Sequence, residues 1–527
     1  MSDQSRSTSN SSWWTLVAVC VATFMLLLDV TIVNVALPKI QTSLHASFSD
    51  LQWVVDAYAL TLAAFLLTAG SLADLFGRRL VFLVGIGIFT VASLSSGLSE
   101  SPTVLNVSRA VQGVGGAAMF ATALALIAQE YEGSRRGTAF GIWGATTGAA
   151  VAVGPLAGGA LTDGFGWESI FFINIPVGIG AIVLTLLRVH ESRQRGARRR
   201  IDWGGFATFS AGLACLIFAL IRGNAEGWTS TQILGLLALG VALLVAFVAV
   251  ELRSEQPMLD LSLFRNPTFA AASIVAFALS GSIFAMFLYF TIYLQDILGY
   301  EPLATGLRFL PLSVLSFFAA AMAGKLTERY SPRWFLGGGL LVVGAALLSM
   351  HGLDASSTWT ALLPGLIAAG IGVGLVNPPL ASTAVAVVAP QNSGMASGIN
   401  STFRQVGIAT GIAGLGAIFQ HVVLSHSLEN LRQISSVGAA KAHELAAAVT
   451  SGGGAKQAFS SVPPQARQQV GVALRSGFTD GMNEILLVAA ALAIAGGALA
   501  LVLIRASDFA PGPAGEQQHE PEPAAAV

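Results

Sequence analysis

Gly70-Ser71-Leu72-Ala73-Asp74-Leu75-Phe76-Gly77-Arg78-Arg79 sets an acid and two arginines between two runs that carry no charge, Leu60 to Ala69 and Leu80 to Leu98. Charges this dense are costly in hydrocarbon, so the stretch reads as a tight turn at a membrane face. Its paired arginines mark that face as cytoplasmic. Gly324-Lys325-Leu326-Thr327-Glu328-Arg329-Tyr330-Ser331-Pro332-Arg333 echoes it between two further apolar runs. Gly70 falls on Gly324, Leu72 on Leu326, Asp74 on Glu328 and Arg79 on Arg333. A repeat at this distance implies two related halves with one such turn each.

Composition agrees with the turn. Of 527 residues 54% are hydrophobic and 10% charged, and the mean hydropathy is +0.71. A soluble chain needs more charge to cover its surface. The apolar runs approach the ~20 residues that cross hydrocarbon as a helix, whereas barrel strands would be about 10 residues long and alternating. An all-α integral membrane protein is predicted. A net charge of -1 offers no basic surface for nucleic acid. Cys20 and Cys215 sit inside apolar runs and read as buried filler, not as a disulfide or a metal site. The Ser-rich leader, 1–12, reads as disordered, and the run that follows lacks a clean cleavage site and reads as a retained helix.

Fourteen spans are predicted: 14–37, 51–72, 80–98, 103–127, 138–161, 170–188, 203–221, 229–250, 269–293, 305–323, 334–350, 361–383, 394–423 and 484–504. The turns after even-numbered spans hold Arg78 and Arg79, Arg135 and Arg136, an Arg-rich linker, Arg253 and Arg265, then Lys325, Arg329 and Arg333. The alternate short turns hold only Lys39 and Arg222, which puts both termini on the cytoplasmic side of a cell membrane. The echo then divides the chain into a six-helix bundle (13–189), the linker (190–202), an additional helix pair (203–250) and a second six-helix bundle (251–504). The second bundle includes a long extracytoplasmic loop, 424–483, and an acidic, Pro-rich tail, 505–527, reads as disordered. Paired halves suit alternating access.

Polar residues inside the spans carry the chemistry. Asp29, in Leu28-Asp29-Val30-Thr31-Ile32-Val33-Asn34, is a carboxylate in a hydrophobic helix, where lost hydration invites protonation. It is either a proton-carrying site or a structural acid bonded to neighbouring helices. Asp56 either lines the same cavity from its outer side or caps its helix. Arg109, Gln112, Gly113 and Gly116 share one helical face, and the arginine needs a carboxylate, carbonyls or water. Gly144, Gly148 and Ala152, followed by Gly154-Pro155-Leu156-Ala157-Gly158-Gly159, give close packing with a bend: a hinge or a seal between bundles. Arg404 and Gln405 either contact substrate or hold the bundles together. Asn377, before Pro378 and Pro379, marks a broken helix whose carbonyls can face a cavity. Trp143, Tyr289 and Tyr293 either face cargo or fill the core, and Asn34 and Gln112 complete the candidate cavity. There is no G-x-x-x-x-G-K-[ST] loop, no metal cluster and no nucleophile constellation, so an ion gradient is the remaining source of work.

Together these motifs resemble the major facilitator superfamily, and within it the fourteen-span drug:proton antiporters. Gly70 to Arg79 resembles the loop between spans 2 and 3, Arg109 to Gly116 the span 4 motif, Gly148 to Gly159 the antiport motif of span 5, and Leu28 to Pro38 the span 1 motif of the fourteen-span group. Trp167-Glu168-Ser169-Ile170-Phe171-Phe172-Ile173-Asn174-Ile175-Pro176 is a further match. The resemblance covers about residues 14–504. It implies a monomeric exporter of lipophilic drugs or antibiotics, not an enzyme, with membrane lipids around it and no cofactor beyond the proton gradient. It further implies that Asp29 and Arg109 take part in coupling, while Asp74, Arg78 and Arg79 bias one conformation. Span 10 lacks an acid and span 13 carries Arg404, so neutral or anionic cargo stays open beside cations. A transporter of a physiological solute or lipid is the alternative.

Overall fold

The computed structural model describes residues 2–131, 134–191, 202–254, 257–327, 329–389, 392–434, 437–450, 462–505 and 508. These residues are helical almost throughout. In chain order the helices are α1 (Ser2–Ser43), α2 (Phe48–Phe76), α3 (Arg78–Gly97), α4 (Pro102–Glu130), α5 (Ser134–Phe165), the single turn α6 (Ser169–Phe172), α7 (Asn174–Arg188), α8 (Trp203–Glu226) and α9 (Thr231–Glu251). They continue with α10 (Pro267–Leu279), α11 (Ala285–Ile292), α12 (Pro302–Leu326), α13 (Pro332–Ser349), α14 (Leu363–Ala386), α15 (Ser393–Arg432), α16 (Ala439–Thr450) and α17 (Arg467–Leu503). A π turn at Ser280–Phe284 joins α10 to α11, and a second, Tyr293–Ile297, ends that span. Among the described residues thirteen helices are long and apolar enough to cross a membrane, and α5 is a further helix of 32 residues.

Local chemistry sets the boundaries. Ser47 and Asp50 form a reciprocal capping box at the start of α2, and Ser101 caps α4 with Pro102 in its first turn. Gly77 separates α2 from α3 at φ +115°, a backbone conformation that favours glycine. A β-carbon there would also lie 2.6 Å from the Glu191 carboxyl carbon, while that carboxylate accepts from the Arg79 and Leu80 amides at 3.2 and 3.0 Å. The turn that interrupts the apolar runs is therefore glycine-dependent in two ways.

Two large apolar cores follow from this order. One draws on residues between Leu16 and Val189, with Ala381 and Val385 added from α14; the other runs from Ala271 to Ile504. A third, smaller core seats α8 and α9 against α2 and the start of α15 through Ala63, Leu67, Phe209, Leu213, Phe247 and Met395.

Two regions differ from the sequence expectation. The leader is continuous with α1 rather than separate from it, because extending an existing helix costs far less than nucleating one. The stretch 424–483, expected as a loop, is largely helical in its described part. At 40 and 37 residues, α15 and α17 would be about 60 and 55 Å long at 1.5 Å per residue, against a hydrocarbon core of ~30 Å. Their projecting ends enclose α16 around a core of Leu431, Leu445, Val462, Val470 and Leu474. The linker from 192 to 201, Glu328, the segment 451–461 and the tail beyond 508 lie outside the described residues.

Candidate functional site

The most enclosed polar cluster lies inside the first half. Asp29 on α1 is 1% exposed, as is Arg109 on α4. Arg109 Nη1 donates to Asp29 Oδ2 at 2.5 Å, Gln112 Nε2 to Asp29 Oδ1 at 3.0 Å, and Asn174 Nδ2 to the same Oδ1 at 3.1 Å. Arg109 Nη1 also donates to Gln112 Oε1 at 2.7 Å, and its Nε to the Val54 carbonyl at 3.0 Å. Its guanidinium lies 4.3 Å from the centroid of the Tyr58 ring. Asn174 reaches Ser93 Oγ at 3.0 Å, and Ser93 in turn donates to the Phe171 carbonyl at 3.0 Å. The acid thus receives donors from α4 and α7, while its cation is tied to α2. An embedded ion pair is tolerable only when its remaining hydrogen-bonding groups are satisfied in this way. Tyr58 Oη, buried beside it, has no hydrogen-bond partner among the described residues.

A second constellation joins the halves. Asp74, 6% exposed, accepts from the Gly394 amide at 3.0 Å and the Met395 amide at 2.8 Å, the first turn of α15. Arg78 donates to the same carboxylate at 3.1 Å. An anion against open N–H groups at a helix start is favoured by both hydrogen bonding and the helix dipole. Gly70 faces the Gly394 carbonyl so closely that a β-carbon on it would collide. The echo repeats the arrangement: Gly324 at the end of α12 meets the Gly137 carbonyl at the start of α5 with the same lack of room. Farther along α5, Gly141 approaches the Ala320 carbonyl and Gly144 approaches Pro378.

The small-residue stripe of α5 therefore divides. Its first part, with Gly148 nearest to Ser316, faces the second half, whereas Gly154 and Gly158 pack on Thr31 and Ile32 of α1 in their own half. Gly159 has open space around it, and Pro155 lies on the same helix. Arg79 stays at the membrane edge, donating to the Leu186 carbonyl at 2.8 Å.

A third cluster lies in the second half. Arg404 on α15 donates from Nη1 to Asn377 Oδ1 at 2.8 Å and from Nε to Asn400 Oδ1 at 3.3 Å. Its Nη2 is buried without a hydrogen-bond partner among the described residues, and so is Asn400 Nδ2. Gln405, half-buried beside it, makes no side-chain hydrogen bond among the described residues.

Several expected cavity residues are placed elsewhere. Gln112 is fully buried in the Asp29 cluster. Trp143 is 2% exposed and donates to Thr23, while Tyr289 and Tyr293 are buried and donate to the Ile412 and Ser357 carbonyls. An aromatic side chain whose polar tip finds a partner packs as core. Asn34 is exposed on α1. Asp56 does not bond to the Asp29 cluster; the cation acting on it is Arg222 of α8, which donates to Gln52 at 3.1 Å and lies over Trp53. Asn174, Ser93 and the Val54 carbonyl are the parts that motif reading passes over. Asn174 had a visible signal: it is an amide inside the apolar run that opens at Ile170.

The family profile described as Major Facilitator Superfamily matches residues 19–412. A multidrug resistance protein, Stp, of Mycobacterium tuberculosis is 37% identical over 90% of this chain and 89% of its own length. A tetracenomycin C resistance and export protein of Streptomyces glaucescens is 34% identical over 93% of this chain and 91% of its own. Among solved structures, the human organic anion transporter MFSD10 superposes with a TM-score of 0.58 at 14% identity, covering 94% of this chain and 99% of that one. At that identity the likeness concerns the fold.

Proposed function

We propose that this chain, which belongs to the Major Facilitator Superfamily, exports lipophilic small molecules such as drugs or antibiotics against proton entry. It is a multi-pass membrane transporter of small molecules. Within that class we assign it to the fourteen-span drug:proton antiporters: two six-helix bundles, with α8 and α9 as the added pair and both termini cytoplasmic. The resistance and export named for its relatives support the direction of transport. No cofactor is required beyond the proton gradient, and a monomer bearing cargo, protons and lipid is the working unit.

The observation that carries this reading is the three-donor clamp on Asp29. A proton on the carboxylate turns one acceptor oxygen into a hydroxyl and removes the anion with which Arg109 pairs. Arg109 keeps the Val54 carbonyl and Gln112 Oε1, so the cation is retained while its tie to α1 weakens. The change therefore acts on the join of α1 to α4 and α7, which is where a rocking half can be altered. Asp74, Gly70 and the Gly137–Gly324 contact close the Arg-rich end, and breaking them opens it. Proteoliposomes with an imposed pH gradient and a panel of labelled compounds test the scheme. Gradient-driven efflux of at least one lipophilic compound is expected, and Asp29→Asn should abolish it. Full activity of that variant would remove Asp29 from the mechanism.

A further inference from the structure

We infer that Arg404 recognises an oxyanion carried on a lipophilic cargo; this rests on the export reading above and names the cargo class. The residue lies 11 positions after Ser393, the first residue of α15, or about 17 Å along the helix at 1.5 Å per residue. That is near the middle of a ~30 Å hydrocarbon core, too deep for the head group to snorkel out. Among the described residues it forms no ion pair. Its partner helix α14 has no charged residue, and the first acid on α15 is Glu429. Arg109, the embedded arginine of the first half, is by contrast neutralised by Asp29.

The hydrogen-bond inventory points the same way. A guanidinium has five N–H donors. Arg404 spends one from Nε and one from Nη1, both on amide oxygens. Those bonds turn Oδ1 of Asn377 and of Asn400 toward the guanidinium. What remains is the Nη2 edge of Arg404 and Nδ2 of Asn400, both buried and unpartnered. The cluster carries one positive charge with no acid paired to it among the described residues. An oxyanion engaging the planar Nη1–Nη2 edge satisfies both the charge and the donors. Arg404 and its neighbours Phe403, Gln405 and Val406 are half-buried, so the cluster borders exposed space although Nη2 itself is covered.

The test compares naphthyl, anthryl and biphenyl carboxylates with their primary amides, in equilibrium binding to the purified full chain and in the pH-gradient efflux assay. At least one scaffold should bind tenfold or more tightly as the acid than as the amide. Arg404→Gln should remove that preference by weakening acid binding far more than amide binding, and Arg404→Lys should retain part of it. If Arg404→Gln does not fold, Asn400→Asp supplies the missing counter-charge beside the guanidinium and should abolish acid preference in a folded protein. Equal binding of acid and amide on every scaffold, absence of binding by any acid, or equal loss of both in the variants overturns the inference. Loss of gradient-driven efflux with acid preference intact in binding would sink the export reading alone.

Discussion

Asp74→Asn tests whether the seal between the halves is electrostatic. The carboxylate holds two amides at the start of α15 and one arginine at the start of α3, with separations of 2.8 to 3.1 Å. Hydrogen bonds to a charged acceptor contribute about 1 kcal/mol more than neutral ones, so the two that cross to α15 plus a partial helix-dipole term give roughly 2–3 kcal/mol, about 30- to 150-fold in the closed-to-open ratio at this end. Asparagine keeps the shape but presents an N–H₂ where one donor already points. Spin labels at Phe76 and Trp334, both exposed, in a chain with Cys20 and Cys215 replaced by alanine, report the separation of the halves at this face. Wild type should give mainly the short distance and Asp74→Asn a broad, longer one. Arg78→Gln should shift the distribution less, because both contacts to α15 survive. An unchanged distribution in Asp74→Asn would refute the electrostatic account and leave the Gly70–Gly394 packing as the whole seal.

Asn174→Ala removes one donor from Asp29 and one from Ser93, at an expected cost of about 1–3 kcal/mol to the cluster; gradient-driven efflux should fall about tenfold, whereas Ser93→Ala, which keeps the Asp29 contact, should lower it less. Gly77→Ala forces a side chain into φ +115° and against Glu191; a loss of about 1–3 kcal/mol is expected in the thermal stability of the detergent-purified protein, and stability equal to wild type would show that the turn tolerates a β-carbon.

The sequence made the fold legible because hydropathy and loop charge are properties of single segments. Gly70 to Arg79 and its echo could be read without knowing what they touch. What they touch was not readable: nothing local tells that Asp74 meets the amides of Gly394 and Met395, 320 and 321 positions away, or that Gly324 meets Gly137 rather than its own half. The Asp29 site was legible by the same segment logic, since a lone acid and a lone arginine in apolar helices each demand a partner. Its completion by Asn174 was not, because an amide has no such compulsion. Trp143, Tyr289 and Tyr293 stayed open in the sequence for a related reason, as an aromatic in a membrane helix reads identically whether it faces cargo or core. The full length of α15 and α17 was harder to read, because their polar stretches lose the apolar signal while keeping the helix.

The two halves then treat the same problem in opposite ways. Each sets one arginine inside a membrane-spanning helix. In the first half Arg109 is closed by Asp29 and by acceptors on α2 and α4, so its field is spent inside the bundle. In the second half Arg404 is met only by neutral amides, whose oxygens screen it without cancelling it. A fold with related halves does not require that asymmetry, and hydrophobic packing would be better served by removing the second cation altogether. Its presence has a use if the first arginine answers to the proton and the second to the cargo. Coupling then needs no contact between the two charges: both act through the helices that the α2–α15 and α5–α12 seams hold together.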